Sequence, residues 1–239
     1  MGLFDDIWRT FFGGRQWAGY LVEIRLQGPV KKYTRKLIYD VARNFHLRGM
    51  VRKRPVPHIT LYGPFSTNNT HRLIATFKEV CEKYAVYDNP REELIPLNIA
   101  GFKAFNGTSG KVICLDIQPS QRLQHLSEEL CSRLNDFCKG QLWDSQKDKI
   151  FHATIAFKDV GAKHNAVLNY LNRKPVPKTK FPLIRITLLG HRGRIMAEYD
   201  LIQRRLLNRD EARSSEVFHT SISKVKRMLE MGKIPAQKP

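Results

Sequence analysis

Hydrophobic residues recur along this chain with two periods, one of two residues and one near 3.6, and each period predicts a kind of element. The shorter period, with β-branched and aromatic residues, predicts strands. These strands lie at residues 20–26, 58–62, 94–105, 111–117, 150–157, 181–189 and 194–203. The longer period predicts amphipathic helices. These helices lie at residues 30–46, 70–87, 120–139, 161–172 and 214–231.

The predicted elements repeat in the same order. A strand, a helix and a strand containing His-x-Thr occur twice, with Leu21 lying 37 residues before His58 and Val112 lying 40 residues before His152. Approximate repetition on this scale predicts an α+β chain of two similar lobes, with the functional site at their interface.

The two His-x-Thr strings carry the candidate chemistry. Successive side chains of a strand point to opposite faces, so His58 and Thr60 share one face, and His152 and Thr154 share another. A single His-x-Thr is common by chance, whereas two at equivalent points of a repeated unit form a specific pattern. The six other histidines have no repeated context, and we expect them to be ordinary surface or core residues.

Two imidazoles and two hydroxyls suit the cleavage of a phosphodiester without a metal. One neutral imidazole can take a proton from the nucleophile while the other, protonated, gives one to the leaving oxygen. Threonine hydroxyls can donate to the nonbridging phosphate oxygens. The set lacks the carboxylates of a magnesium site and offers only two imidazoles to zinc, so no metal is predicted.

The amino-acid composition indicates which classes of molecule the chain can bind. The chain has 239 residues and a formal net charge of +19, and its 13 Phe, 8 Tyr and 3 Trp can fill a core, which excludes a wholly disordered basic chain. It has no run of 18 apolar residues, so we expect no transmembrane helix. The charge favours polyanions such as RNA, DNA or anionic lipid.

The excess charge is concentrated in two acid-poor stretches near the motifs. Residues 31–54 contain nine Lys or Arg and one acid, and residues 160–197 contain eight and none. Such runs are often only solvated faces, but their position favours a surface that follows a phosphate backbone. Arg52, Lys53 and Arg54 lie nearest the first motif in sequence and are candidates for substrate binding.

Tyr62 has two interpretations. Strand alternation would place it on the face of Thr60, where its ring could stack on a base, or it could be a core aromatic.

The paired His-x-Thr strands in a chain of this length resemble the 2H phosphoesterase superfamily, which includes LigT-like RNA 2′,3′-cyclic phosphodiesterases and 2′-5′ RNA ligases. The resemblance implies a duplicated bilobal fold, with two antiparallel-leaning sheets lining a central cleft and helices outside. It also implies that His58 and His152 are the catalytic pair and that Thr60 and Thr154 hold the phosphate. An RNA-like substrate and the absence of a cofactor follow from the same resemblance.

We expect three regions. Residues 20–203 would form the bilobal domain, residues 1–19 an N-terminal amphipathic extension, and residues 204–239 a basic helical extension. An apolar stripe from Leu3 to Phe12 could pack on the domain or dock on a membrane surface or a protein.

The cysteines and the N-terminus bear on location. The four cysteines form no CxxC pair and no signal peptide is visible, which predicts a cytoplasmic protein.

The sequence therefore predicts a metal-independent phosphoesterase that opens RNA 2′,3′-cyclic phosphates. Two alternatives remain open: the same site could cleave or join 2′-5′ linkages or hydrolyse a cyclic oligonucleotide, or the fold could bind RNA without catalysis. The sequence does not decide which histidine is the base, nor the oligomeric state.

Overall fold

The computed structural model describes residues 19–52, 54–87, 89–107, 110–140, 149–177 and 181–231. Within these ranges the strands are β1 (Gly19–Arg25), β2 (His58–Ser66), β3 (Pro96–Gly107), β4 (Gly110–Gln118), β5 (His152–Phe157), β6 (Phe181–Pro182), β7 (Arg185–Gly190), β8 (Arg194–Asp200) and β9 (Arg205–Leu207). The α-helices are α1 (Gly28–Phe45), α2 (Thr70–Lys83), α3 (Pro90–Glu93), α4 (Gln121–Asn135), α5 (His164–Asn172), α6 (Arg209–Arg213) and α7 (Ser215–Met231). The extension predicted for residues 1–19 lies outside the described residues except for Gly19.

The strands form one antiparallel sheet in the order β6-β3-β4-β5-β2-β1-β7-β8-β9. The units β1-α1-β2 and β4-α4-β5 confirm the repeated order of elements. The expectation of two sheets is corrected, because β2 and β5 pair with each other through Ile59 and Ala153 and join the two groups of strands. The two His-x-Thr strands are therefore direct neighbours at the centre of the sheet.

The sheet is strongly curved. Six strand positions separate β6 from β7, which would be about 29 Å in a flat sheet. Only Leu183 and Ile184 connect these strands, and such a link spans at most about 11 Å. The predicted strand over residues 181–189 is thus two strands, interrupted after Pro182, which has no N–H for a further ladder bond.

Four helices cover one face of the sheet. Helix α1 packs on β5, α4 on β2, and α5 on β3 and β4, while α2 packs on α4. Their apolar stripes meet the inward residues of the strands, among them Ile59, Leu61, Ala153 and Ile155, which are at most 1% exposed. Polar caps fix where two helices begin: the Asn69 side chain accepts from the N–H of Arg72 at the start of α2, and Ser120 Oγ accepts from the N–H of Leu123 at the start of α4.

The C-terminal helices α6 and α7 reach the sheet through a buried ionic cluster. Arg185 binds Asp200 through Nε at 2.9 Å and Glu198 through Nη1 at 3.2 Å, and Ser221 of α7 donates to Asp200 at 2.5 Å. The ring of Phe218, also on α7, lies 5.1 Å from the Arg185 guanidinium. The predicted helix over residues 214–231 agrees with α7, and it docks on the domain.

No helix among the described residues is long and apolar enough to cross a membrane. All four cysteines are buried, and none of them forms a disulfide.

Candidate active site

The pairing of β2 with β5 brings both motifs onto one face. Ile59 lies opposite Ala153, and because the strands are antiparallel this register sets Thr60 opposite His152 and His58 opposite Thr154. Directly opposed side chains have Cβ atoms about 4.5–5.5 Å apart, and diagonal ones about 7–8 Å. The four polar side chains are half-buried and form a compact block with a hydroxyl beside each imidazole.

The two imidazole rings are held in the same way. His58 Nδ1 lies 2.8 Å from the carbonyl oxygen of Val56, and His152 Nδ1 lies 2.8 Å from that of Ile150. A carbonyl oxygen only accepts, so Nδ1 carries the hydrogen in each ring. In the neutral form Nε2 is therefore the basic nitrogen, and in the protonated form it can donate.

The surroundings of His152 favour its neutral form. Burial lowers the pKa of His152, and the nearby positive charges of His58 and Lys149 lower it further, against the opposing effects of the Ile150 carbonyl and the Asp116 carboxylate. The ring of Phe105 meets the imidazole edge-on, with centroids 4.9 Å apart. An imidazole that stays neutral at pH 7 is suited to accept a proton.

A buried carboxylate and an arginine flank His58 instead. Glu23 is 2% exposed, and its Oε2 lies 3.8 Å from His58 Nδ1 while its Oε1 accepts from Arg25 Nε at 2.7 Å. In the β1–β2 register Glu23 faces Thr60 and Arg25 faces His58. Sequence reasoning missed both residues, although charges that alternate with Val22 and Ile24 in β1 were a signal that this strand has a polar face.

Tyr62 belongs to the core, which corrects its assignment as a substrate-binding residue. Val22 pairs with Tyr62 but Glu23 pairs with Thr60, so β2 has one extra residue at Leu61. This bulge turns Tyr62 to the opposite face, where the side chain is 0% exposed and donates to Asn135 Oδ1 at 2.5 Å. Of its two interpretations, the structure favours the core aromatic.

The basic loop before β2 lies beside α1. Arg52 and Arg54 are exposed, and neither has an ion pair or hydrogen bond within the described residues. Arg35 Nε of α1 donates to the Pro55 carbonyl at 3.1 Å and holds the loop there. Lys53 lies outside the described residues. The structure gives Arg52 and Arg54 no contact with the block of His58, Thr60, His152 and Thr154, which is called the histidine–threonine block.

The part of the chain that the structure describes contains no group of three or more His, Cys, Asp or Glu that could hold a metal ion.

Three solved structures are similar to this chain at low sequence identity. A phosphoesterase crystal structure is 14% identical, with a TM-score of 0.47 over 77% of this chain and 98% of that chain. Usb1 of Kluyveromyces marxianus with uridine monophosphate is 11% identical, with a TM-score of 0.38 over 72% of this chain and 92% of that chain. Another structure of that Usb1 is 9% identical, with a TM-score of 0.40 over 73% and 93%. No curated protein matches the chain.

A protein-family model matches most of the chain. The model of the 2′-5′ RNA ligase superfamily matches residues 24–194, which is well over half of the chain and includes both His-x-Thr strands. This match confirms the resemblance inferred from the motifs. The chain belongs to the 2′-5′ RNA ligase superfamily, the LigT-like 2H phosphoesterases.

Proposed function

We propose that this protein is a metal-independent phosphoesterase that hydrolyses 2′,3′-cyclic phosphates at the ends of RNA or oligonucleotides. The observation that carries the proposal is the block of His58, Thr60, His152 and Thr154 on neighbouring strands, with both Nδ1 atoms bound to carbonyl oxygens. Membership of the superfamily supports phosphodiester chemistry, and the net charge of +19 supports a polyanionic substrate.

In the proposed reaction His152 is the base and His58 is the acid. His152 Nε2 takes a proton from water as the water oxygen attacks phosphorus. The bond between phosphorus and one ring oxygen breaks, and His58 Nε2–H gives that oxygen a proton. The cyclic diester becomes a monoester, and no other reactant is consumed. This assignment rests on the lowered pKa of His152, which favours the neutral form that accepts a proton and leaves His58 as the donor.

The threonines hold the phosphate in this proposal. Thr60 and Thr154 each stand beside the imidazole of the other motif, so a phosphate between the two rings lies within reach of both hydroxyls. Hydroxyl donors aimed at the nonbridging oxygens offset the charge that develops in the transition state.

The superfamily also favours a second candidate, cleavage or joining of a 2′-5′ linkage by the same four residues. Both reactions need an acid and a base on opposite sides of one phosphate, so the block serves either. A panel containing a 2′,3′-cyclic end, a 2′-5′ dinucleotide and a cyclic oligonucleotide separates these activities. Salt-sensitive RNA binding with no turnover of any member would instead favour the non-catalytic alternative.

The proposal is tested with purified protein, EDTA and an oligonucleotide ending in a 2′,3′-cyclic phosphate. We expect turnover in EDTA and a loss of about 10²–10⁴-fold in kcat in each of His58→Ala and His152→Ala. The matched control is His71→Ala, since His71 is exposed on α2. Turnover that disappears with EDTA, or that survives either site substitution at the full rate, contradicts the mechanism.

Four buried cysteines that form no disulfide support a reducing compartment, and we include a cytoplasmic location in the proposal.

A further inference from the structure

Four cations from three parts of the chain converge beside the acid of the proposed reaction. Arg25 ends β1 opposite His58, and Lys31 and Arg35 lie one turn apart on the same side of α1. The bond from Arg35 Nε to the Pro55 carbonyl fastens the loop that carries Arg54 to that helix. These residues, Arg25, Lys31, Arg35 and Arg54, are called the α1 cation cluster.

The cluster is crowded and short of negative charge. Lys31 is half-buried, and neither Lys31 nor Arg54 has an ion pair among the described residues. Burial, and then the positive charges of Arg35, Arg25 and Arg54, lower the pKa of Lys31, against a smaller opposing effect of the Glu198 carboxylate. Helix α1 has no acidic residue in its first turn that could offset these charges.

The two nearby carboxylates are already engaged. Glu23 binds Arg25 at 2.7 Å, while Glu198 accepts from Thr187 at 2.6 Å and from Arg185 at 3.2 Å. Both carboxylates are 2% exposed. The repulsion among the cations is therefore only partly offset within the described part of the chain, which indicates that an anionic ligand supplies the missing charge.

The position of the cluster identifies the class of ligand. Arg25 and His58 are directly opposed in the sheet, with Cβ atoms about 4.5–5.5 Å apart, so the cluster begins next to the reacting phosphate. A substrate that binds both places must carry a second phosphate close to the first, as adjacent nucleotides of a chain do. Guanidinium and ammonium groups are suited to that phosphate.

We propose that the α1 cation cluster is a subsite for the phosphodiester that precedes the terminal nucleotide of the substrate. This inference rests on the proposed function, whose substrate ends at the histidine–threonine block. The subsite makes the protein prefer an oligonucleotide to a mononucleotide. The additional affinity for an oligonucleotide comes from Lys31 and Arg54, because these cations have no ion-pair partner within the described chain.

The test compares two substrates in Lys31→Met, which keeps the apolar stem and removes the charge. One substrate is a nucleoside 2′,3′-cyclic phosphate, and the other is a dinucleotide with the same cyclic end and one internal phosphodiester. We expect kcat/KM to fall about tenfold or more for the dinucleotide and to stay unchanged for the mononucleotide, since a hydrogen bond between charged groups is lost only in the first case. The control is Lys36→Met, an exposed position on the same helix, which should alter neither substrate.

Two further readouts separate this inference from the proposed function. Because Lys31→Met removes a positive charge that the neighbouring cations repel, the melting temperature of this variant should be no lower than that of the wild type. Binding of a dinucleotide, measured by calorimetry, should weaken in Lys31→Met and not in Lys36→Met, and the slope of log K against log salt should fall by about 0.7. This binding result would support the subsite even if no substrate were turned over. The absence of turnover would refute only the proposed function. An equal loss on both substrates, or no loss in turnover or binding, overturns the subsite.

Discussion

Replacing the threonine hydroxyls tests how the site holds phosphate. In Thr60→Val the side chain keeps its shape and branching, so the strand is preserved while one donor is removed. Thr60 is half-buried and stands opposite His152, where its hydroxyl would donate to an anionic phosphate oxygen. A hydrogen bond to a charged group contributes about 1.5–3 kcal/mol. Because about 1.4 kcal/mol corresponds to a factor of ten, kcat/KM should fall about 10–150-fold.

The loss should be mainly in kcat if the bond strengthens as charge develops on the phosphate. Thr154→Val should behave similarly, because Thr154 stands opposite His58 in the same block. Steady-state kinetics on the cyclic-ended oligonucleotide provide the measurement, and thermal melting checks that each variant is folded. Thr60→Ser is the matched control, since it retains the hydroxyl and should keep most of the activity. Wild-type kcat/KM in Thr60→Val, or an equal loss in Thr60→Ser, would refute this role.

Two other predictions concern charge. If His152 is the base, the acidic limb of the profile of kcat/KM against pH lies below pH 6.5, because the pKa of His152 is lowered. Phe105→Ala exposes the His152 ring and should move that limb to higher pH. A limb that does not move argues against His152 as the base. Arg185→Met leaves Glu198 and Asp200 buried without their cation, so urea denaturation at pH 7 should show a loss of about 3–5 kcal/mol. Burial raises the pKa of Glu198 in the folded state. The part of the stability loss that is due to Glu198 is therefore absent below the unfolded pKa of 4.5, where the group is protonated, and grows as pH rises through the raised folded pKa. A stability loss that does not depend on pH would contradict this.

The part of the site that could be predicted from the sequence is local. Alternation within a strand places His58 with Thr60 and His152 with Thr154, because that geometry depends only on the period of the backbone. The helix predicted over residues 30–46 closely matches α1 at Gly28–Phe45 for the same reason: its apolar stripe is a local pattern.

The remaining features depend on contacts between distant residues. The pairing of Ile59 with Ala153, which joins the sheet, has no local signal. The bulge at Leu61 is visible only in the register with β1, and it reverses the side on which Tyr62 lies. The docking of α7 depends on Ser221 reaching Asp200, which lies in a different element. Tertiary pairing, and not propensity, determines each of these features.

The most direct test of the central claim is a double-mutant cycle on the two histidines. If His58 and His152 act on one phosphate as acid and base, each alanine variant loses about 10²–10⁴-fold in kcat. The kcat of the double variant should be only a little lower than that of the less active single variant, because both proton transfers belong to one transition state. The measurement is the rate of cyclic-phosphate opening in EDTA by the wild type, both single variants and the double variant. Losses that multiply would show that the two histidines act independently, and wild-type turnover in the double variant would place the chemistry elsewhere.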